Sequence, residues 1–113
     1  MSRYRFVAAE KAAASAIPVL IECLTLWLTN LLCDGTEDDL DRERAAFITA
    51  FEQAPGTIIA VSNETGLGII PADALSRRFC DEAGRLHQDL ARICERVTLM
   101  AAGLALTLKS DQR

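Results

Sequence analysis

Continuous apolar runs alternate along the chain with stretches in which apolar residues recur every three or four positions. Three of these runs predict strands: PVLIE, which begins at Pro18, TIIAVS, which begins at Thr57, and RVTLMAAG, which begins at Arg96. A fourth run, LALTLK, follows directly after Gly103, and so short a connection predicts an antiparallel hairpin at the edge of the sheet. Strands that alternate with helices indicate an α/β fold with a mainly parallel sheet flanked by helices.

The remaining segments predict helices. Residues 5–16 are rich in alanine, which favours a short N-terminal helix. Residues 24–32 have apolar side chains at helical spacing and predict a mostly buried helix. Thr36 followed by Asp39 has the form of a capping box and predicts the start of an amphipathic helix. The residues expected on its buried face are Leu40, Phe47, Ile48 and Phe51, and those expected in solvent are Asp41, Arg42, Glu43 and Arg44.

The longest helix is predicted for residues 72–95. Its apolar positions lie three or four residues apart, as one buried helix face requires: Leu75, Phe79, Ala83, Leu86, Leu90 and Ile93. A chain of 113 residues is long enough for one domain and too short for two, so we interpret residues 1–113 as a single domain.

Charge and composition argue against a nucleic-acid-binding protein and against a membrane protein. The net charge of −4 argues against non-specific binding to nucleic acid or to an anionic membrane surface, because both require a cationic face. The longest apolar run, residues 19–32, contains Glu22 and is shorter than the ~20 residues that a membrane span needs. The N-terminus has no continuous apolar core, so we expect no signal peptide and a cytoplasmic protein.

The cysteines do not have the spacing of a metal site. Cys23, Cys33, Cys80 and Cys94 lie far apart without a CxxC pair, and the single histidine, His87, has no cysteine at ligand spacing. We expect free thiols in a reducing cytoplasm and no disulfide framework.

Polar residues follow two of the predicted strands. Glu22 ends the first strand and, in an open α/β sheet, would be placed to contact a magnesium ion or a sugar hydroxyl. Its alternative is a surface carboxylate. Asn63 and Glu64 follow the second strand, and Gly66 and Gly68 would allow the backbone to approach a ligand closely. The alternative for this loop is a tight turn without a ligand.

The long helix carries further candidates. Arg78 and Arg85, and to a lesser degree Arg77, could bind phosphate through their guanidinium groups, although exposed helix arginines commonly belong to a solvated face. His87 is interpreted as a partly buried helix residue, because no motif places a Ser or Cys nucleophile beside it. The sequence contains no GxxxxGK[ST], so it has no P-loop to hold a triphosphate.

Two long runs resemble a known family. They are IECLTLWLTNLL and, after a variable helix, VSNETGLGIIPADALSRRFCDEAGRLHQDLARICERVTLMAAGLALTLK. They are similar to the C-terminal part of the bifunctional adenosylcobinamide kinase/adenosylcobinamide-phosphate guanylyltransferase of cobalamin biosynthesis. The ordered motifs are SNE, GxGI and P, then RxFxDxxGRLxQ, then AGLxLxLK. The resemblance covers residues 17–109, and residues 1–16 are interpreted as an N-terminal helix or extension.

The resemblance implies a P-loop NTPase fold of the RecA-like type, assembled as a homo-oligomer, with a trimer expected. It implies that adenosylcobinamide is phosphorylated with ATP or GTP, and that GMP then passes from GTP to the phosphate through a guanylylated histidine. Glu22 is implied to contact the guanine nucleotide or its magnesium. Asn63 and Glu64, with Gly66 and Gly68, match the family loop near the active site.

The chain departs from the family pattern in its N-terminal part. The P-loop and the histidine that accepts GMP are both missing, and His87 lies in GRLHQ, where the family more often has Asn. We therefore expect a C-terminal portion that is inactive alone. The alternative is a non-catalytic binding or oligomerisation module derived from the enzyme. In either case we expect apolar strand edges, covered in part by the N-terminal helix and by oligomerisation.

Overall fold

The computed structural model describes residues 3–8, 19–22, 24–54, 56–64 and 72–110. In chain order the elements are β1 (Arg3–Ala8), β2 (Val19–Ile21), α1 (Leu24–Asp34), α2 (Glu37–Gln53), β3 (Ile58–Asn63), α3 (Ala74–Ile93), β4 (Arg96–Ala101) and β5 (Leu104–Lys109). The strands that the apolar runs predict are all present, and so are the three helices predicted after residue 23.

The strands form a mixed sheet. Its five strands lie in the order β2-β3-β1-β4-β5. β2 pairs parallel with β3, whereas β1 pairs antiparallel with both β3 and β4. Strands β2, β3 and β4 therefore run in one direction, as the α/β interpretation expects. The pairing is nevertheless not mainly parallel, because β1 lies between β3 and β4 in the opposite direction.

The helix predicted for residues 5–16 is wrong at its start, because residues 5–8 belong to β1. Residues 9–16 lie outside the described residues. Phe6 pairs in register with Ala60 on one side and Val97 on the other, and its side chain is buried. Alanine content is a weak preference that tertiary contacts override, and here two partner strands supply backbone hydrogen bonds to RYRFVA. At residues 5–8 a strand therefore stands where the helix was expected.

The start of α2 and the β4–β5 turn have the predicted local structure. At the start of α2 the Asp39 amide donates to Thr36 Oγ1 at 3.2 Å, and the Thr36 amide donates to Asp39 Oδ2 at 3.1 Å. This reciprocal pair is the predicted capping box. The hairpin between β4 and β5 is also confirmed, and its turn places Ala102 and Gly103 at φ of 52° and 73°.

One apolar cluster joins the helices to one face of the sheet. Its buried members are Phe6, Leu24, Phe51, Ile58, Ala60, Leu86, Leu90, Cys94 and Val97. Because paired residues of neighbouring strands face the same side, and Phe6 pairs with Ala60 and Val97, the three described helices share that face. A smaller cluster of Leu28, Leu40 and Ala83 packs the helices against one another.

Two positions differ from the predicted amphipathic pattern. Leu75, predicted on the buried face of the long helix, is 55% exposed. Arg44, predicted in solvent, has a side chain that is only 20% exposed and is paired with the buried Glu82 of α3. Helical periodicity finds the buried face, but it does not say where along its length a neighbouring element covers it.

The edge strand β5 carries three exposed leucines, Leu104, Leu106 and Leu108. Among the described residues, no helix is long and apolar enough to cross a membrane.

Candidate functional site

The polar residues that follow β2 and β3 lie at one edge of the sheet. Ile21 pairs with Ala60, so Glu22 is level with Val61 of β3. Asn63 and Glu64 lie two and three residues beyond that level, or roughly 7 to 10 Å along the strand direction. Glu22 is exposed, whereas Asn63 and Glu64 are half-buried. The structure therefore brings these candidates to the same edge, as the sequence predicts, at different depths.

Strand β1 begins at this same edge. The backbone of Arg3 is registered opposite Asn63 on one side and Met100 on the other. The edge thus comprises the carboxyl ends of β2, β3 and β4 and the amino end of β1. Carboxyl ends of parallel strands are the usual ligand-binding edge of an open α/β sheet. Gly66 and Gly68 lie outside the described residues, so their predicted role near a ligand stays a prediction.

Helix α3 is the next described element after β3, and Asp73 caps its first turn. The Ser76 amide donates to Asp73 Oδ2 at 2.9 Å. The hydrogen bonds from Ser76 hold the pKa of the Asp73 carboxyl below its usual value. This cap fixes where α3 begins, and Arg77 and Arg78 lie in its first turns.

The candidate arginines are engaged in ion pairs. Arg78 is paired with Glu37 at the start of α2, and this hydrogen bond raises the pKa of Arg78. Arg85 Nη1 lies 2.8 Å from Glu82 Oε1. The Arg77 guanidinium donates to the Ala72 carbonyl at 2.6 Å.

The three arginines line a cavity of about 380 Å³ together with Glu37, Asp81 and Glu82. The numbers of basic and acidic side chains around this cavity are equal, so the described structure offers no net cationic pocket there. A nucleotide role for Arg78 and Arg85 stays a prediction.

Ser62 and His87 form a buried pair that the sequence interpretation missed. Ser62 Oγ lies 2.7 Å from His87 Nε2, and the two residues are 2% and 8% exposed. The ring of Phe6 packs against the imidazole, with centroids 5.6 Å apart. Burial lowers the pKa of His87, and the negative charge of Glu64 acts in the opposite direction.

A signal for this pair is present in the helix pattern. His87 follows Ala83 by four residues and precedes Leu90 by three, so it belongs to the buried stripe of α3. Its burial was therefore predictable. Its partner was not, because Ser62 lies 25 residues away on another element.

The carboxylates at the edge could hold Mg²⁺ only together with a phosphate ligand and water. Among the described residues there is no group of three or more His, Cys, Asp and Glu side chains able to hold a metal ion. Mg²⁺ commonly keeps several waters and binds through one or two carboxylates together with phosphate oxygens. The single exposed carboxylate of Glu22 fits that mode and does not form an all-protein cage.

The described cysteines are not in disulfides, as expected for Cys33, Cys80 and Cys94. Cys23 lies outside the described residues. Cys33 and Cys80 line a second cavity of about 270 Å³ between α1 and α3, whose other lining residues are Thr29, Leu32, Leu75, Ser76 and Phe79.

Comparison with known proteins identifies relatives of these elements. The family described as cobinamide kinase / cobinamide phosphate guanyltransferase matches residues 3–108. The bifunctional adenosylcobalamin biosynthesis protein CobP of Pseudomonas aeruginosa is 55% identical over 93 residues, covering 82% of this chain and 54% of the relative. The bifunctional adenosylcobalamin biosynthesis protein CobU of Escherichia coli is 35% identical over 104 residues, covering 80% and 58%.

The corresponding CobU protein of Salmonella typhimurium is 36% identical over 104 residues. The chain spans little more than half the length of these curated relatives, 54% to 58%. The matched residues include Glu22, which follows β2, and the β3 end at Asn63 and Glu64. This chain belongs to the cobinamide kinase / cobinamide phosphate guanyltransferase family.

Proposed function

We propose that this chain lines one side of the site at which adenosylcobinamide is phosphorylated and its phosphate then receives GMP, in cobalamin biosynthesis. The observation that carries the proposal is the common edge formed by Glu22, Asn63 and Glu64, within sequence runs that match the family. Two strand ends with polar side chains at one sheet edge are suited to the sugar, base and metal of a nucleotide.

The residues at the edge have distinct chemical capacities. The Glu22 carboxylate can accept hydrogen bonds from a ribose or guanine, or hold Mg²⁺ together with phosphate oxygens and water. The Asn63 amide can both donate and accept. A bound Mg²⁺ would neutralise phosphate charge. GTP or ATP is the proposed nucleotide, with guanine nucleotide required for the transfer of GMP.

We further propose that these 113 residues alone catalyse neither step. The sequence has no GxxxxGK[ST] to hold a triphosphate. Its single histidine, His87, is 8% exposed and its Nε2 is hydrogen-bonded to Ser62, so this nitrogen is not presented to the γ- or α-phosphate of a ligand. The phosphate-binding loop and the GMP acceptor are proposed to come from residues outside this sequence, in the same or another chain.

A second candidate is a non-catalytic module for binding or oligomerisation. It is favoured by β1, which pairs with both β3 and β4 and closes the gap between them. A sheet completed in this way does not need a further strand at that position. The homo-oligomer expected from the resemblance belongs to this proposal.

Binding and labelling measurements on the purified chain distinguish the two functions. We expect GTP with Mg²⁺ to bind, and we expect Glu22→Gln and Asn63→Ala to weaken binding by about tenfold each, the loss of a hydrogen bond to a charged group. Glu52→Gln, at an exposed carboxylate near the end of α2, is the matched control and should not change binding.

We expect no covalent label after incubation with GTP labelled in its α-phosphate. Covalent labelling with GMP would contradict the proposed inactivity. Absence of any GTP binding by a folded, monodisperse chain would contradict the nucleotide site and support the non-catalytic module.

A further inference from the structure

The Ser62–His87 hydrogen bond joins the middle of α3 to the last residues of β3. Ser62 immediately precedes Asn63, and its Oγ lies 2.7 Å from His87 Nε2. Both side chains are inside the protein, at 2% and 8% exposure. A buried hydroxyl or imidazole loses its water partners, so a direct hydrogen bond between the two is favoured over alternative positions of either.

The imidazole of α3 is contacted from two strands, β3 and β1. It belongs to α3, it bonds to Ser62 of β3, and it packs against Phe6 of β1 at 5.6 Å between ring centroids. Side chains alternate along a strand, so Ser62 faces α3 while Asn63 faces the other side of the sheet. The backbone position of Ser62 therefore determines where Asn63 and Glu64 emerge at the edge.

We propose that His87 is a positioning residue for the proposed nucleotide site: through Ser62 it sets the position in which β3 presents Asn63 and Glu64. The inference rests on the function proposed above for this edge. His87 itself does not touch the ligand. Its effect is to keep the end of β3 against α3, so that the two polar side chains are ordered before a ligand binds.

The charge state of His87 gives the positioning a pH dependence. From β3 the ring is faced by Ser62 and by the charge of Glu64, and from β1 by Phe6, which does not titrate. Burial lowers the pKa of His87 below 6.5. The stability that the neutral, buried imidazole contributes is thus fully present above about pH 6.5 and is lost as pH falls through the lowered pKa.

Hydrogen exchange of the 113-residue chain tests the proposal. We expect His87→Leu, which removes the hydrogen bond, to speed exchange of the segment 61–64 by about tenfold, while α2 is unchanged. His87→Gln places an amide near the position of Nε2 but does not titrate. It should restore protection of 61–64 and abolish the loss of protection that we expect of the unsubstituted chain as pH falls below about 6.5.

The matched control is Cys94→Ala, at a residue that is 1% exposed just after α3. It should lower the stability of the whole domain without a selective effect on 61–64. The proposal is overturned if His87→Leu leaves 61–64 unchanged or speeds exchange equally everywhere, or if His87→Gln keeps the pH dependence. If His87→Leu does not fold, the Gln variant and the pH profile still decide.

GTP binding by the same variants separates this inference from the proposed function. We expect the His87→Leu variant to bind GTP about tenfold more weakly than the unsubstituted chain, and His87→Gln to bind it equally well. If the unsubstituted chain binds no GTP, the proposed function fails, and a selective effect on 61–64 would still establish His87 as the residue that orders the end of β3.

Discussion

At the scale of single residues, helix starts are governed by chemistry within one turn. Thr36 and Asp39 satisfy each other's backbone amides, and Asp73 accepts from the Ser76 amide. The hydrogen bonds from Thr36 lower the pKa of Asp39. A lowered carboxyl pKa stabilises the fold above its unfolded value of about 3.8, and this stabilisation is lost as pH falls through the lowered pKa.

Thr36→Ala removes one half of this capping box. We expect the free energy of unfolding to fall by about 1 kcal/mol, because the Asp39 amide loses its side-chain acceptor. Chemical denaturation at pH 7 measures this loss. Thr29→Ala is the matched control: Thr29 Oγ1 donates to the Thr25 carbonyl inside α1, so its removal should cost little. An equal loss for both variants would contradict the capping assignment.

At the scale of elements, a part-buried ion pair connects α2 to α3. Arg44 Nη1 lies 2.7 Å from Glu82 Oε2, and the Glu82 side chain is only 6% exposed. Arg85 contacts the other carboxylate oxygen at 2.8 Å, but its own side chain is 63% exposed. Arg44 is therefore the less exposed of the two arginine partners, and without it Glu82 would keep only the solvent-screened Arg85.

Arg44→Ala should lower the free energy of unfolding by about 3 kcal/mol, since a buried carboxylate would lose its main partner. Arg42→Ala on the same helix, paired with Asp39 at the surface, should cost less than about 1 kcal/mol. Urea unfolding of both variants gives the comparison. In the Arg44→Ala/Glu82→Ala double variant the losses should be less than additive, and strict additivity would show that the two residues are not coupled.

At the scale of the whole molecule, β1 holds the sheet together. It lies between β3 and β4, and without it both strands would expose unpaired backbone groups. Its buried side chain Phe6 belongs to the cluster that joins all three described helices to the sheet. The N-terminal residues thus contribute to the centre of the fold, although the alanine-rich segment that follows them dominated the prediction.

Phe6→Ala should lower the free energy of unfolding by about 3 to 5 kcal/mol, through lost burial and the cavity that remains. A loss of this size in a small domain should also produce aggregation, detectable by size-exclusion chromatography with light scattering. Phe6→Leu keeps most of the volume and should cost less than about 1.5 kcal/mol. A Phe6→Ala variant as stable as the unsubstituted chain would mean that β1 is not part of the core.

The candidate site was only partly predictable from the sequence, because some of its contacts join distant parts of the chain. Glu22, Asn63 and Glu64 were found because strand ends are marked by a change from apolar to polar residues, and parallel strands then bring such ends to one edge. The Arg78–Glu37 ion pair and the Ser62–His87 hydrogen bond join residues on different elements. The Arg85–Glu82 pair lies within α3, but it joins an exposed side chain to a buried one. Neither property follows from spacing along the chain.

By itself the sequence determined the elements after residue 18, the capping box and hairpin, and the family, because these depend on local hydrogen bonding, periodicity and long ordered motifs. Only the tertiary structure decided that RYRFVA is a central antiparallel strand, that Arg44 is half-buried against Glu82, and that His87 contacts Ser62. These outcomes depend on long-range contacts, whose free energy exceeds the weak local preference of a short segment.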